Sequence, residues 1–402
     1  MPKSDVIVIG AGAIGASVAY QAAKRGLSVH VLEAEGIAAG ATGASEGLVG
    51  SIAKRKSGPV TDIVVKSFGM FGELAEEIDI DFEYQDKPGL MVVTEQDHVE
   101  VLKRFVAKRR AEALEIEWLD RREALEVEPV LGPKTLGAVW TPRQGSVNPM
   151  KLAFGYLRAA RRLGARVSIP ARVTGFEFAG RAIRRVRTTA GDFSAGTVVN
   201  AAGVSAPEVA GACGAALEIV PKRAQMLVSE ALPKGMLRNT VYAGTKVVAG
   251  LNPRTLDFED MPSDEGHREV ERECAWQLSS FTQTANGNIL FCGGFGFSGD
   301  SKAARPRDLL AMMCNIAALA PTLADVRILR GWAGLEPCTR DNVPAIGRSA
   351  EVENLVHAAG HGNAGVMMSP YTGSMVAEEI VGASAARTSV LGARPSEQMV
   401  GP

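Results

Sequence analysis

With 402 residues the chain can hold two or three compact units around ample cores. Its 44 basic and 45 acidic side chains nearly cancel, so no basic face calls for nucleic acid and no acidic tract calls for disorder. Hydrophobic residues make up 46%, yet no apolar run reaches the roughly 18 residues of a membrane span.

Residues 5–33 predict strand, glycine turn, helix, strand and acid, in that order. Val6, Ile7, Val8 and Ile9 form an apolar run suited to a strand buried on both faces. Gly10, Gly12 and Gly15 follow with G-x-G-x-x-G spacing. The first permits a tight turn, the second lets backbone approach a pyrophosphate, and the third lets helix pack on strand. A helix from about Ala13 to Lys24 aims its N-terminal N–H groups at those phosphates, and Gly26 ends it. A second strand over 28–32 closes on Glu33, whose carboxylate can accept ribose hydroxyls. All the context this motif needs is present, which favours a dinucleotide site over an ordinary strand–helix turn. The first strand begins within a few residues of the N-terminus, so no signal peptide is expected.

The small residues of 36–47 (GIAAGATGASEG) cannot pack a core and suit a loop lying close against the rest of a cofactor. A helix is predicted around 62–78, a strand at 89–94, and a charged amphipathic helix over 97–114 whose Lys and Arg form a solvated face. Another helix spans 149–163 and precedes hairpin-like strands near 165–190. The apolar strand 197–201 ends at Ala202-Gly203. Segments 218–229 and 288–294 read as strands of a second, mixed sheet. Helix 306–319 precedes a strand at 326–330. Strand 354–358 leads into a glycine turn and a last helix near 370–381. The tail beyond Gly382 is loose in composition. Cys213, Cys274, Cys292, Cys314 and Cys338 are scattered, without a C-x-x-C pair. They read as reduced thiols of a cytoplasmic protein, and neither they nor the histidines show the spacing of a metal or cluster site.

The turn Gly360-His361-Gly362 with Gly365 repeats the logic of the first one, and both serving one site would require a discontinuous binding domain. Here the chain resembles the D-amino-acid oxidase superfamily of FAD-dependent amine oxidoreductases, which includes glycine and sarcosine oxidases. GAGAIG with Glu33, the loop with Thr42 and Ser45, VVNAAGVSAPEVA at 198–210, and WAGLEPCTRDNVPAIG at 332–347 running on to GHGNAGV at 360–366 carry the likeness in order. PKRAQMLV at 221–228 and NILFCGGFGFSGD at 288–300 resemble its substrate-sheet strands. The resemblance implies a glutathione-reductase-like α/β flavoprotein with a Rossmann-like, discontinuous FAD-binding domain (1–80, 148–215 and 330–385). A mixed β-sheet substrate domain (81–147 and 216–329) and a flexible tail (386–402) would complete it.

It further implies that Gly10, Gly12, Ala13, Ile14 and Gly15 hold the pyrophosphate, and that Glu33 and Ala34 meet the adenosine ribose. Thr42, Gly43, Ala44 and Ser45 would run beneath the flavin. Val173 would present backbone to adenine, and Ala201, Ala202 and Gly203 would pack on the pyrophosphate. Gly334 with Gly360, Gly362, Asn363, Ala364, Gly365 and Val366 would meet the flavin's pyrimidine edge. His361 reads equally as a flavin contact or as a turn residue filling a strand end.

Where members acting on simple amino acids often carry an arginine that clamps the substrate carboxylate, this chain has Glu336. A carboxylate there repels glycine, unless Arg340, Lys54 or Arg223 substitutes, and could receive a cationic or hydrogen-bonding group instead. Cys338 is too close to Asp341 for the family's cysteine tether and no histidine follows Glu33 suitably, so non-covalent FAD is expected. The polar stretch 246–276 reads as a lid, a docking surface or a tolerated surface insertion.

The activity implied is oxidation of the C–N bond of an amino acid, N-alkyl amino acid or opine to an imine, by hydride transfer to flavin N5. The subgroup resembled most is the catalytic FAD subunits of multi-subunit enzymes, whose partners carry FMN or an iron–sulfur cluster. The alternatives are a stand-alone peroxide-forming oxidase, which a lysine such as Lys222 or Lys54 above the flavin would support, and a flavin-binding relay or assembly subunit without its own substrate. A nicotinamide-dependent enzyme would leave the second glycine turn without a purpose.

Overall fold

A computed structural model of the protein describes residues 3–50, 58–249, 251, 254–256, 280–297, 299 and 301–382. In chain order, β1 (Ser4–Ile9), α1 (Ala13–Lys24), β2 (Val29–Leu32), β3 (Leu48–Val49) and α2 (Pro59–Ile78) come first. They are followed by β4 (Gln85–Asp86), β5 (Gly89–Val93), α3 (Gln96–Ala111), β6 (Glu117–Asp120), α4 (Arg121–Val127), β7 (Gly137–Thr141) and β8 (Gly145–Ser146). Then come α5 (Pro149–Arg162), β9 (Arg166–Ser168), β10 (Val173–Ala179), β11 (Ala182–Thr188), β12 (Gly191–Phe193), β13 (Ala195–Asn200) and α6 (Ala206–Ala212). The remainder are β14 (Val220–Ala231), β15 (Thr240–Ala243), α7 (Gly244–Ala249), β16 (Ser280–Gln283), β17 (Asn288–Gly296), α8 (Pro306–Leu319), β18 (Ile328–Cys338), β19 (Ala345–Arg348), β20 (Leu355–Ala359) and α9 (Gly365–Val381).

The fold is α/β, built on two large sheets, with two three-stranded ones (β10-β11-β12 and β3-β8-β4) beside them. The first has the order β19-β20-β13-β1-β2-β9, parallel except for β19. Its strands come from both ends of the chain. Val6, Ile7 and Val8 are fully buried because helices cover one face while the β10–β12 hairpins and α6 cover the other. The helix α1 is alanine-rich and buried almost all round, pressed between α5 and α9. Gly373 of α9 lies so close to α1 that a Cβ there would overlap Ser17.

The second sheet has eight strands in the order β18-β14-β17-β16-β15-β5-β7-β6, with β5 and β15 the one parallel pair. One face packs Leu227, Phe281 and Phe291 against α8 and α4. The other carries a second apolar cluster under α3, with Met91, Phe105 and Tyr242. Asp120 and Glu123 form a reciprocal cap on α4, and the Asn148 side chain caps α5 by accepting from Lys151 N–H.

Two sequence expectations change here. The strand predicted to end at 330 runs on to Cys338, because β14 pairs with it through Cys338. On α3 the basic face is largely solvated, but Arg109 is fully buried, paired with Glu112 and lying over Phe105. Lys54, the tail 386–402 and most of 246–276 lie outside the described residues.

Two helical glycines should respond oppositely to an added methyl group. A Cβ at Gly15 would overlap the Gly10 carbonyl oxygen, whereas one at the exposed Gly69 of α2 meets nothing within 4 Å. Gly15→Ala should therefore cost about 1–3 kcal/mol of stability. Gly69→Ala should add up to about 1 kcal/mol through helix propensity. Urea midpoints of the two variants check both signs.

Candidate functional site

At the carboxyl end of β1 the backbone turns through Gly10 at φ +105°, where a Cβ would stand 2.5 Å from the Ala201 carbonyl oxygen. Ala201 follows β13, and its N–H donates to the Ile9 carbonyl at 2.9 Å, so these two strand ends are tied together. Gly12 is the N-cap of α1 and has no side chain to fill the space above the helix end. The first-turn N–H groups of α1 have no intrahelical acceptor. One of them, on Ala13, donates to the Thr42 hydroxyl at 3.0 Å, which draws the 42–45 loop against the helix. Glu33 lies at the end of β2 and accepts from Ala11 N–H at 2.7 Å and Glu35 N–H at 2.8 Å. Ala171 N–H donates to the Glu33 carbonyl, bringing the start of β10 with Val173 beside it. Ile14, Ala34, Ala202 and Gly203 are partly buried around the same strand ends.

This geometry fits a dinucleotide. A helix N-terminus, glycines whose Cβ positions are blocked or left clear, and an acid at the neighbouring strand end supply the donors and acceptor that a pyrophosphate and a ribose need.

The second glycine turn leaves β20 through Gly360 (φ +80°) and Gly362 (φ +53°) and enters α9 at Gly365. His361 bridges to Cys338 at the end of β18, and a Cβ on Gly362 would lie 3.6 Å from Cys338 Sγ. Ala364 and Val366 are buried, while Asn363 is exposed at the tip. The His361 ring is buried with Nε2 3.3 Å from the Thr372 hydroxyl, so it anchors the turn to α9.

The loop after Thr42 crosses the second sheet. Gly334 of β18 abuts Ala44 so closely that a Cβ would overlap the alanine methyl. Glu46 is buried and accepts a 2.7 Å hydrogen bond from the Ser280 hydroxyl of β16. Leu48 then packs on the cluster beneath α3.

Alternation along β18 puts Trp332, Gly334, Glu336 and Cys338 on one face. Gly334 meets the 42–45 loop and Cys338 meets the 360–362 turn, so Glu336 stands on the strand face between them. Directly opposite in register is Lys222 of β14, its Nζ 3.1 Å from the Glu336 carboxylate and 4.5 Å from the Phe295 ring centre. Burial would lower the Lys222 ammonium, but the charge and hydrogen bond of Glu336, with the nearby Cys338 and Cys292, together hold the group above its ordinary value. Trp332 Nε1 is buried without an acceptor among the described residues.

The other basic candidates do not join this pair. Arg223 is one residue along β14, so it faces α8 instead, with Asp308 3.7 Å away. Arg340 is largely exposed and pairs with Glu218 at 2.7 Å. Nothing in the sequence marked Lys222 and Glu336 as partners, because 114 residues separate them. Glu46 carried a faint signal, being the one acid in the 36–47 run of small residues.

A model of the FAD dependent oxidoreductase family, DAO, matches residues 5–379. The chain is similar to glycine oxidase of Geobacillus kaustophilus, 27% identical over 94% of this chain and 92% of that one. It is likewise similar to hydrogen cyanide synthase subunit HcnC of Pseudomonas aeruginosa, 27% identical over 92% and 91% of the two chains. The crystal structure of glycine oxidase from Geobacillus kaustophilus superposes over both full chains with a TM-score of 0.85 at 24% identity.

Burial keeps three imidazoles neutral, pushing His30 and His357 down to about 4 and His361 down to about 3. In the unfolded chain each titrates near 6.5, so their contribution is complete above that pH and is lost progressively as pH falls toward 4. Each should remove about 1.4 kcal/mol of stability per pH unit across that window. Urea denaturation at pH 7 and at pH 5 should show this loss, and His361→Gln should make the decline shallower.

Proposed function

The chain belongs to the DAO family of FAD-dependent oxidoreductases, and on that premise we propose that it oxidises the C–N bond of an amino acid, an N-alkyl amino acid or an opine to an imine. The observation that carries this reading is the Lys222–Glu336 pair on the strand face between the two glycine loops. FAD, when bound, supplies the acceptor for the hydride that leaves the substrate carbon.

The chain's own residues bind and orient. Gly10, Gly12, Ala13, Ile14 and Gly15 hold the pyrophosphate and Glu33 the ribose. The 42–45 loop and the 360–366 turn flank the flavin. Lys222 receives the substrate carboxylate, which its raised proton affinity favours, and Glu336 receives the amine N–H. The Trp332 indole N–H on the same face is a further donor. Packing of Phe295 and Cys338 around the pair limits water access, which strengthens the interactions that both charges make. A neutral amine needs no side-chain base, and none is assigned.

We further read the chain as the catalytic subunit of a heteromeric dehydrogenase or oxidase whose partner carries FMN or an iron–sulfur cluster. A relative matched over nearly its whole length is itself a subunit, which supports this. A stand-alone, peroxide-forming oxidase is favoured instead by the equally extensive match to a glycine oxidase. No helix among the described residues is long and apolar enough to cross a membrane. Buried free thiols at Cys213, Cys292 and Cys338 support placement in the cytoplasm.

Anaerobic titration of the FAD-loaded protein with glycine, sarcosine, proline, D-amino acids and arginine-derived opines should bleach the oxidised flavin band with one substrate class. Admitting air then separates oxidase from dehydrogenase, by whether colour returns with peroxide. With that substrate, Glu336→Gln should lower kcat/KM by about ten- to a hundredfold while FAD stays bound. A flavin that no amine bleaches would return the chain to the relay-subunit alternative.

A further inference from the structure

The outer face of α5 carries an apolar and basic stripe that neither the fold nor the proposed chemistry uses. The inner face packs toward α1, burying Leu152, Ala153, Tyr156 and Ala160. On the outer face Met150 is 48% exposed and Phe154, one helical turn on, is 49% exposed. Beside them runs a groove of about 380 Å³ lined by Ile37, Phe154, Leu157, Arg158, Arg161 and Arg162. The 36–43 loop forms one rim, since a Cβ on Gly43 would lie 3.7 Å from Met150 Cγ. The 79–83 segment forms the other, where a Cβ on Gly155 would overlap Ile80. Phe, Met and Arg are the residue types enriched where proteins meet, and covering two half-exposed large apolar side chains is favourable.

The charges along the stripe select the occupant. At the C-terminal end of α5, three arginines stand against one acid: Asp79 lies 3.7 Å from Arg158 and 2.5 Å from Arg162, while Arg161 has no ion-pair partner among the described residues. At the N-terminal end the balance reverses. Glu83 pairs with Lys151 at 2.6 Å, and the exposed Asp81 adds a second carboxylate beside it. Arg158, Arg162 and Lys151 share the flank that faces the 79–83 segment. A second α5 laid antiparallel on the first, about a two-fold axis near Phe154, keeps that flank on the same side and reverses its ends. Each basic end then meets the other copy's acidic end, and Met150 and Phe154 interleave between them. A parallel arrangement would instead set like charges together.

We propose that this face of α5 is a homodimer interface, in which two copies of the chain pack α5 on α5 antiparallel, with Phe154 at the centre and Arg158 of each copy facing Asp81 of the other. Sedimentation velocity of the purified, FAD-loaded full-length protein over a range of concentrations tests it. Wild type should sediment as a dimer or a larger even-numbered assembly. Phe154→Asp should halve that assembly, raising the dissociation constant about thirtyfold or more, as loss of a central aromatic anchor does. Arg158→Glu and Asp81→Arg should each weaken association about tenfold, because each sets like charges opposite one another. Combined in one chain they restore opposite charges, and affinity should return toward that of wild type.

Wild-type protein that stays monomeric up to its solubility limit would overturn the inference and leave the face to a partner of different sequence. An assembly that Phe154→Asp leaves intact would place the interface elsewhere. A double variant no tighter than either single one would refute the antiparallel pairing. Should Phe154→Asp fail to fold, Met150→Lys on the same exposed face takes its place, with the same outcomes.

Discussion

Backbone meeting backbone at the end of β1 is the constraint on which the rest depends. Gly10 faces the Ala201 carbonyl and Gly15 faces Gly10, at separations where no Cβ fits. Only this approach lets α1 start directly above the strand end, with its first N–H groups open to an anion. The same closeness continues outward, because Gly373 lets α9 press on α1 at Ser17. Since α9 begins at the second glycine turn, packing it on α1 brings residue 360 to the site that residue 10 opens. Two turns far apart in sequence are thereby drawn to the same end of one sheet.

Alternation in β14 and β18 then sorts the charges. Lys222 and Glu336 face the loops, whereas Arg223, one step along, faces α8 and Asp308. A one-residue slip in this pairing would set Arg223 or Pro221 opposite Glu336 and turn Lys222 toward α8. The unbroken register of β14 on β18, from Val220 against Cys338 to Val228 against Arg330, guards against that slip. The charge pattern on this strand face is thus a property of sheet pairing, and the loops are fitted to it.

What was legible in the sequence is what local backbone geometry dictates. The 5–33 unit and the Gly360–Gly365 turn are specified by glycines at fixed offsets, and the structure places strand, turn and helix there. Glu336 was legible as a departure in a strongly patterned segment. Its partner was not, because strand register is a long-range outcome that spacing along the chain does not encode. Arg340 seemed a natural substitute by its nearness in sequence, yet it lies beyond the end of β18, where the chain has left the sheet for the surface. Arg109 was masked by its neighbours: three basic residues in the last turn of α3 look alike, and only packing on Phe105 sets one apart. Ser280 carries no local signal, since its bond to Glu46 joins residues far apart in the chain.

The Lys222–Glu336 pair also bears on selectivity in a way that a single arginine would not. A lone guanidinium attracts any carboxylate. A lysine and a glutamate 3.1 Å apart already satisfy one another, so a ligand must offer something to both before displacing either. A simple carboxylic acid that takes the lysine leaves Glu336 without its cation, and a simple amine that takes Glu336 leaves Lys222 unpaired. In a setting this enclosed, each unpaired group costs about 1–3 kcal/mol. A ligand bearing a carboxylate and an amine N–H on one carbon offers an acceptor to Lys222 and a donor to Glu336 at once, so neither is left without a hydrogen-bond partner. On the proposed reading, discrimination against competitors that offer only one of the two groups therefore follows from the pair's mutual satisfaction, without any further contact to reject them.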